Sequence, residues 1–182
     1  MTARGAGLAT LLLLTITVCC GALANRARRP GTRVIVQYVH RATASLGLGV
    51  LTLHVATILA DSLAHVGVTG ALVPFSSSYR ATWVGLGTIA AYLVLVVSAL
   101  GLARGRMANS ALGAAIWRRL HGLSYGAWGI ALVHGFLSGS DSGRIWVRLL
   151  YLACIGAVVS SIAYRSAVAP APSTQPRELV SR

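Results

Sequence analysis

Long apolar runs, each near the length of a membrane span, alternate along this chain with short polar segments. The runs cover approximately residues 6–25, 34–60, 81–103, 119–138 and 145–164. A helix that crosses the hydrocarbon core of a bilayer needs about 20 predominantly apolar residues, so each run is long enough to cross once. The pattern therefore predicts an all-α integral membrane protein, a bundle of about five transmembrane helices.

The polar segments divide the chain into three predicted parts. Residues 1–33 contain the first helix and a basic linker, "NRARRPGTR" at 25–33. Residues 34–164 contain the other four helices, which we expect to form one core. Residues 165–182 are rich in proline, serine and alanine, so they are predicted to be a disordered cytoplasmic tail.

Composition strengthens the membrane prediction. Hydrophobic residues make up 55% of the chain and charged residues only 10%, and the mean hydropathy is +0.72, above the usual range of soluble domains. The net charge of +13 comes from arginines that lie in short clusters between the apolar runs. That distribution indicates membrane orientation rather than nucleic-acid binding. The expected surroundings are the lipid bilayer of the plasma membrane, with no nucleic-acid partner.

The arginines also predict the orientation of the helices. They are concentrated in the first and third linkers and in the tail, and short cytoplasmic loops carry the excess of positive charge. The N-terminus is therefore expected outside and the C-terminus in the cytoplasm. An alternative is that "ALAN" at 22–25 is a signal-peptidase site. Cleavage there would leave the densest arginine cluster outside, so an uncleaved first helix is preferred.

Four of the five histidines lie in two of the predicted spans, His40 and His54 in the second and His121 and His134 in the fourth. Ionisable residues are rare within a membrane span and indicate a functional site. Fourteen and thirteen positions of helix rise by about 21 and 19.5 Å. Because both spans run outward, His40 and His121 should share an inner level, and His54 and His134 an outer level.

Haem fits two stacked histidine pairs in lipid, because it is a flat apolar ring whose iron binds axial nitrogen atoms. Zinc is the main competing ligand, although it generally takes four protein ligands at one level. Small residues on the same two spans would let a wide ring approach the backbone, but glycine is also common at ordinary contacts between membrane helices. These residues are Gly47, Gly49, Gly122, Gly126 and Gly129.

A straight helix would place the two histidines on one face in the second span but not in the fourth. At about 100° per residue, fourteen positions fall ~40° short of four turns, so His40 and His54 share a face. Thirteen positions fall ~140° short, which points His121 and His134 in different directions. The fourth span is therefore expected to bend or to contain a π-bulge, unless the two rings approach it from different sides.

The spacing H-x13-H on one span, followed two spans later by H-x12-H, resembles the ferric reductase-like transmembrane domain. This is the haem core of ferric reductases, NADPH oxidases and the membrane subunit of bacterial methionine sulfoxide reductase systems. The resemblance covers residues 34–164, and "VPFSSSYRATWVGLGTIAAYL" and "WRRLHGLSYGAWGIALVHGFLSGSD" are similar to actinobacterial members. It implies two haem b groups, with iron ligated by His40 and His121 at the inner level and by His54 and His134 at the outer.

The resemblance also implies electron transfer from the cytoplasmic to the outer face. Larger family members carry a flavin- and nicotinamide-binding domain after the last helix, whereas about eighteen residues follow Tyr164 here. We therefore expect no flavin or nicotinamide site and no catalytic residue in this chain. It would be an oxidoreductase component that takes electrons from a separate flavoprotein or quinol and passes them to an acceptor at the outer face. Whether iron is that acceptor stays open.

Arginines near the histidines are candidate contacts for haem propionates. Arg41, Arg118 and Arg119 lie beside the inner histidines and Arg80 lies towards the outer level, and a guanidinium binds a carboxylate well. Their alternative role is to anchor the helices by the positive-inside rule. His65 is expected in an outer loop, where solvation is the preferred interpretation.

Two other functions stay open. A haem-free transporter or accessory subunit could use the histidines for protons or divalent metal, although no Asp or Glu lies inside a predicted span. A cytochrome b anchor subunit of a dehydrogenase complex would hold the same haems and differ in its partner.

Overall fold

A computed structural model describes residues 2–24, 26–27, 29–61, 65–139 and 141–168. Helices are the only regular secondary structure in these ranges, which confirms the all-α prediction for this part of the chain. The helices are α1 Thr2–Leu23, α2 Pro30–Ala60, α3 Gly67–Leu72, α4 Ala81–Met107, α5 Ala111–His121, α6 Leu123–Ser138 and α7 Ile145–Ala167.

Four of these helices, α1, α2, α4 and α7, are long and apolar enough to cross a membrane. They correspond to four of the predicted spans, so the chain is an all-α membrane protein. The remaining predicted span is divided into α5 and α6, which meet at Gly122. Because α6 alone has 16 residues and is about 24 Å long, the total of five crossings stays a prediction, as does the orientation of the termini.

Local sequence explains several helix ends. Pro30 begins α2, where its missing N–H and fixed φ cost nothing. Ser110 caps α5 by accepting a hydrogen bond of 3.0 Å from the backbone N–H of Gly113. Arg104 and Arg106 lie in the last turn of α4, where positive charge is favourable near the helix C-terminus.

The helices pair in antiparallel fashion, α1 against α2 and α4 against α6. The ends of α1 show this clearly, because Ala3 lies beside His54 whereas Thr17 lies beside His40. A buried cluster joins α1 to α7 and is extended by α6; it contains Leu11, Val147, Tyr151 and Cys154, with Leu8, Trp128, Leu132 and Leu150 packed on it.

The outer surface of the bundle is apolar. On α2, Val34, Ile35 and Tyr38 expose 66%, 64% and 73% of their surface. Such side chains are suited to the hydrocarbon of a bilayer, where an apolar outward face carries no penalty. The fold therefore has the exterior of a membrane protein.

Three features differ from the predicted organisation or lie beyond it. The loop between α2 and α4 contains the short helix α3, which apolar periodicity did not indicate. Helix α7 continues to Ala167, so residues 165–167 are helical although they were predicted to begin the disordered tail. Arg28 and the predicted tail from residue 169 onward lie outside the described residues.

Candidate functional site

The fold brings His40, His54, His121 and His134 together in two pairs. His40 and His121 face each other with ring centroids 6.2 Å apart and an angle of 64° between the ring planes. His54 and His134 line one cavity. We call these pairs the His40–His121 level and the His54–His134 level. They are the pairs predicted from the spacing of the histidines.

Gly122 separates the two helical segments that carry His121 and His134. Helix α5 ends at His121 and α6 begins at Leu123. Gly122 itself keeps right-handed helical angles, with φ −61° and ψ −19°, and its N–H bonds to the carbonyl of Arg118 at 3.1 Å. The two histidines therefore belong to different helical segments, and the expected bend or π-bulge of this span stays a prediction.

Three of the four imidazoles donate a hydrogen bond from Nδ1 to a backbone carbonyl of a neighbouring helix. These bonds join His40 to Thr17 at 2.8 Å, His54 to Ala3 at 2.7 Å and His134 to Trp83 at 2.7 Å. A carbonyl only accepts, so Nδ1 must carry the proton and Nε2 keeps its lone pair. Metal-binding histidines are commonly oriented by such a bond, which fixes the tautomer and the direction of the ring.

His121 is held in another way. Its ring stacks on Trp117, with centroids 4.8 Å apart and planes 14° from parallel. Trp117 is fixed in turn by a bond from its Nε1 to the carbonyl of Leu100 at 2.8 Å, and the guanidinium of Arg104 lies 5.2 Å from its ring centroid. In the described part of the chain, Nδ1 of His121 is the one buried side-chain nitrogen or oxygen without a hydrogen-bond partner.

The His54–His134 level opens into a cavity of about 530 Å³. This volume lies within the ~300–1,000 Å³ that small-molecule and cofactor sites typically have. Apolar side chains such as Leu11, Leu51 and Val94 line its walls. Polar residues at its edge include Arg4, Asp61, Tyr79 and Asp141. A mostly apolar cavity with two imidazoles and a polar edge can accept a flat, largely apolar group with polar substituents.

The arginine beside this cavity is Arg4, which is not among the sequence-predicted candidates. Its guanidinium pairs with Asp141 at 3.3 Å and links the start of α1 to the loop before α7. Arg80, the predicted candidate, donates a 2.6 Å hydrogen bond to the carbonyl of Leu137 instead and does not line the cavity. Antiparallel pairing of α1 with α2 would have placed Arg4 near His54, but the sequence does not state which helices pair.

The remaining predicted contacts lie at the surface. Arg41, Arg118 and Arg119 are exposed at the His40–His121 end of the bundle. His65 is also exposed, and its carbonyl accepts a 2.7 Å hydrogen bond from Ser78. It does not line the cavity of the His54–His134 level. Roles for these arginines in propionate binding stay predictions.

The metal-ligand chemistry of each level is limited to its two imidazoles. Across the described ranges, no group of three or more His, Cys, Asp or Glu side chains is arranged to hold a metal ion. A structural zinc ion usually takes four protein ligands, whereas haem iron receives four nitrogen atoms from its own ring. Two imidazoles per level are a set of ligands that haem iron could accept.

Comparison of the chain with protein families, with curated proteins and with solved structures found no match. The resemblance to the ferric reductase-like domain therefore stays a prediction from histidine spacing. The functional interpretation depends on the geometry of the two levels.

Proposed function

We propose that this chain is a dihaem b-type transmembrane electron-transfer protein of the ferric reductase-like group. The observation that carries the proposal is the facing pair His40 and His121, whose ring centroids are 6.2 Å apart. Two imidazoles that bind one metal ion from opposite sides, with metal–nitrogen bonds of about 2.0–2.1 Å, have ring centres roughly 6 Å apart. The second pair, His54 on α2 and His134 on α6, lies about 20 Å further along the bundle.

The hydrogen bonds of the histidines support this proposal. Protonation at Nδ1 leaves the lone pair of Nε2 available, as haem ligation requires, in His40, His54 and His134. Haem supplies reversible one-electron chemistry when it is bound. Two imidazoles at each level would hold the iron of such a group and leave it no open position, which would favour electron transfer over oxygen binding. The apolar side chains around the levels would surround the ring.

The distribution of charge supports an outward direction of transfer. Asp61 and Asp141, the acidic residues of the described ranges, lie at the His54–His134 end. Arginines are concentrated at the other end, in the linkers and the last turns of helices, at Arg26, Arg104, Arg106, Arg118, Arg119 and Arg165. By the positive-inside rule, the His40–His121 level faces the cytoplasm of a plasma-membrane protein. A separate flavoprotein or quinol would donate electrons there, and the acceptor would bind at the outer face.

The test is the visible spectrum of the full chain purified from haem-replete cells, with a haem and protein assay on the same sample. We expect reduced-minus-oxidised bands of a six-coordinate haem b and about two haems per chain. A folded, colourless protein would contradict the proposal. Flux of protons or divalent metal into vesicles by such a colourless protein would support the haem-free transporter instead.

A further inference from the structure

Each of the four histidines faces a glycine on a neighbouring helix. A Cβ atom built on Gly87 would lie 2.5 Å from Cε1 of His134, and one on Gly7 would lie 3.0 Å from Cε1 of His54. At the other level, a Cβ on Gly21 would lie 3.2 Å from Cε1 of His40, and one on Gly101 would lie 3.8 Å from Cε1 of His121. The imidazoles of His40, His54 and His134 therefore pack their Nδ1–Cε1 edges towards a place where the neighbouring helix has no side chain, whereas His121 approaches Gly101 only by Cε1 at an ordinary contact distance.

These glycines have a constant relation to the carbonyls that hold the rings. The carbonyls of Ala3, Thr17 and Trp83, which accept the Nδ1–H bonds, each belong to the residue four positions before the glycine. His121 differs, because its Nδ1 makes no hydrogen bond and its ring stacks on Trp117 instead.

Helix geometry explains the four-residue relation. The Cα–Cβ bonds of an α-helix tilt towards its N-terminus, so a side chain covers the turn that precedes it. A side chain four positions after a carbonyl therefore covers the outer side of that carbonyl. A carbonyl oxygen has two lone pairs, and the helix uses one of them. A glycine leaves the second accessible to a donor from outside the helix.

The spacing of the glycines on α1 repeats the spacing of the histidines on α2. Gly7 and Gly21 on α1 are fourteen positions apart, as are His40 and His54 on the antiparallel α2. Gly87 and Gly101 on α4 are also fourteen positions apart, and they face His134 on α6 and His121 on α5, which are thirteen positions apart. The two halves of the bundle are therefore similar, although the histidines of the second half lie on two helical segments.

We infer that Gly7, Gly21 and Gly87 are positioning residues of the histidine levels. Each glycine, with the carbonyl four residues before it, forms a cradle that fixes the rotation of one imidazole, directs Nε2 towards the paired histidine and, where the hydrogen bond forms, fixes the Nδ1–H tautomer. The inference rests on the proposed function, because haem ligation is what gives Nε2 its role. The contact between these glycines and the imidazoles differs from ordinary glycine packing, as at Gly47, where a Cβ would meet only leucine side chains.

The cradles predict a graded response to alanine. The added Cβ at Gly87 would lie so close to His134 that the ring must move. The steric crowding is smaller at Gly7 and smaller again at Gly21, and at Gly101 the added atom would make an ordinary van der Waals contact. The structure also offers matched controls on the same helices. A Cβ on Gly5 of α1 or on Gly105 of α4 would meet nothing within 4 Å, and both positions are exposed.

The direct test is nitrogen-15 NMR of histidine rings in the full chain in lipid nanodiscs, reduced so that any six-coordinate haem iron is diamagnetic. In the unsubstituted chain, Nδ1 of His134 should carry a proton that exchanges slowly with water. Gly87→Ala should accelerate that exchange about tenfold, as loss of one hydrogen bond implies. Gly105→Ala should leave it unchanged. Equal exchange in both variants would overturn the inference.

If Gly87→Ala fails to fold, Gly7→Ala is the second test: it should accelerate exchange of the Nδ1 proton of His54, whereas its control Gly5→Ala should not. Circular dichroism reports folding in each case. The ring signals also separate this inference from the proposed function. If the chain binds no haem but its ring signals still depend on these glycines, the cradles stand and the haem proposal fails. If the chain binds two haems and Gly87→Ala and Gly7→Ala leave the rings unchanged, the cradles are refuted and the haem proposal stands.

Discussion

The two histidine levels share α2, take their second histidine from α5 and α6 respectively, and hold their imidazoles differently. At the His54–His134 level, both rings donate from Nδ1 to a backbone carbonyl. At the His40–His121 level, only His40 does so, and His121 is held by stacking on Trp117. A nearly symmetric scaffold therefore provides two sites whose ligands are not equivalent.

The difference bears on the chemistry of the two sites. A hydrogen bond at Nδ1 makes an imidazole a stronger donor to a bound metal ion, which stabilises oxidised iron. His121 lacks that bond, so under the proposed function a haem at the His40–His121 level should have the higher reduction potential. One hydrogen bond worth about 1 kcal/mol corresponds to roughly 40 mV for one electron. A redox titration should therefore show two separated transitions rather than one.

Removing a ligand has the largest expected effect and identifies the two levels. His134→Gln should lower the haem content from two per chain to one, because the His54–His134 level loses an axial ligand. His121→Gln should lower it equally but remove the transition of higher potential. His65→Gln, at an exposed loop position, should retain both haems. Haem assay and redox titration check all three variants, and loss of the same transition in both span variants would contradict the assignment.

Trp117→Leu should weaken haem binding at the His40–His121 level, to a smaller extent than loss of a histidine ligand. Stacking of aromatic rings contributes about 0.5–1.5 kcal/mol beyond the burial of area, and His121 has no Nδ1 bond to replace it. In the variant, the haem with the higher reduction potential should be released at a lower temperature than in the unsubstituted chain. Trp146→Leu, at an exposed position of α7, is the matched control and should change neither transition.

Arg4→Gln, at the His54–His134 level, should have the smallest effect on stability. The Arg4–Asp141 pair is exposed, with side-chain exposures of 55% and 28%, and such pairs contribute about 0–1 kcal/mol. The melting temperature should fall slightly at low salt, and the difference should disappear at high salt because the charges are screened. Arg144→Gln removes a contact within the loop near α7 and leaves α1 attached, so it should change the melting temperature less.

Apolar runs were sufficient to predict the long helices. The predicted third span begins at residue 81, as α4 does, and the predicted last span begins at residue 145, as α7 does. The histidine pairs also followed from sequence, since rise per residue relates spacing to depth. These properties depend on residues near one another in the chain, which is why pattern alone could predict them.

Contacts between helices were harder to predict. Gly47 and Gly49 were singled out because they share a helix with the histidines, whereas the glycines that meet the rings lie on α1 and α4. Nothing in the apolar pattern states which helices are neighbours, although the repeated fourteen-residue spacing of Gly7 and Gly21 was visible. Trp117 gave no signal either, because a tryptophan near the end of a span ordinarily indicates the membrane interface.

The division of each level between distant parts of the chain determines the order in which the protein can be assembled. Each level takes one ligand from α2 and the other from α5 or α6, about eighty residues later in synthesis. The pair of α1 and α2 can form its hydrogen bonds at Thr17 and Ala3 before those later helices exist. Half of each site is therefore ready early, whereas capture of a cofactor between two imidazoles must wait for the second half to be inserted.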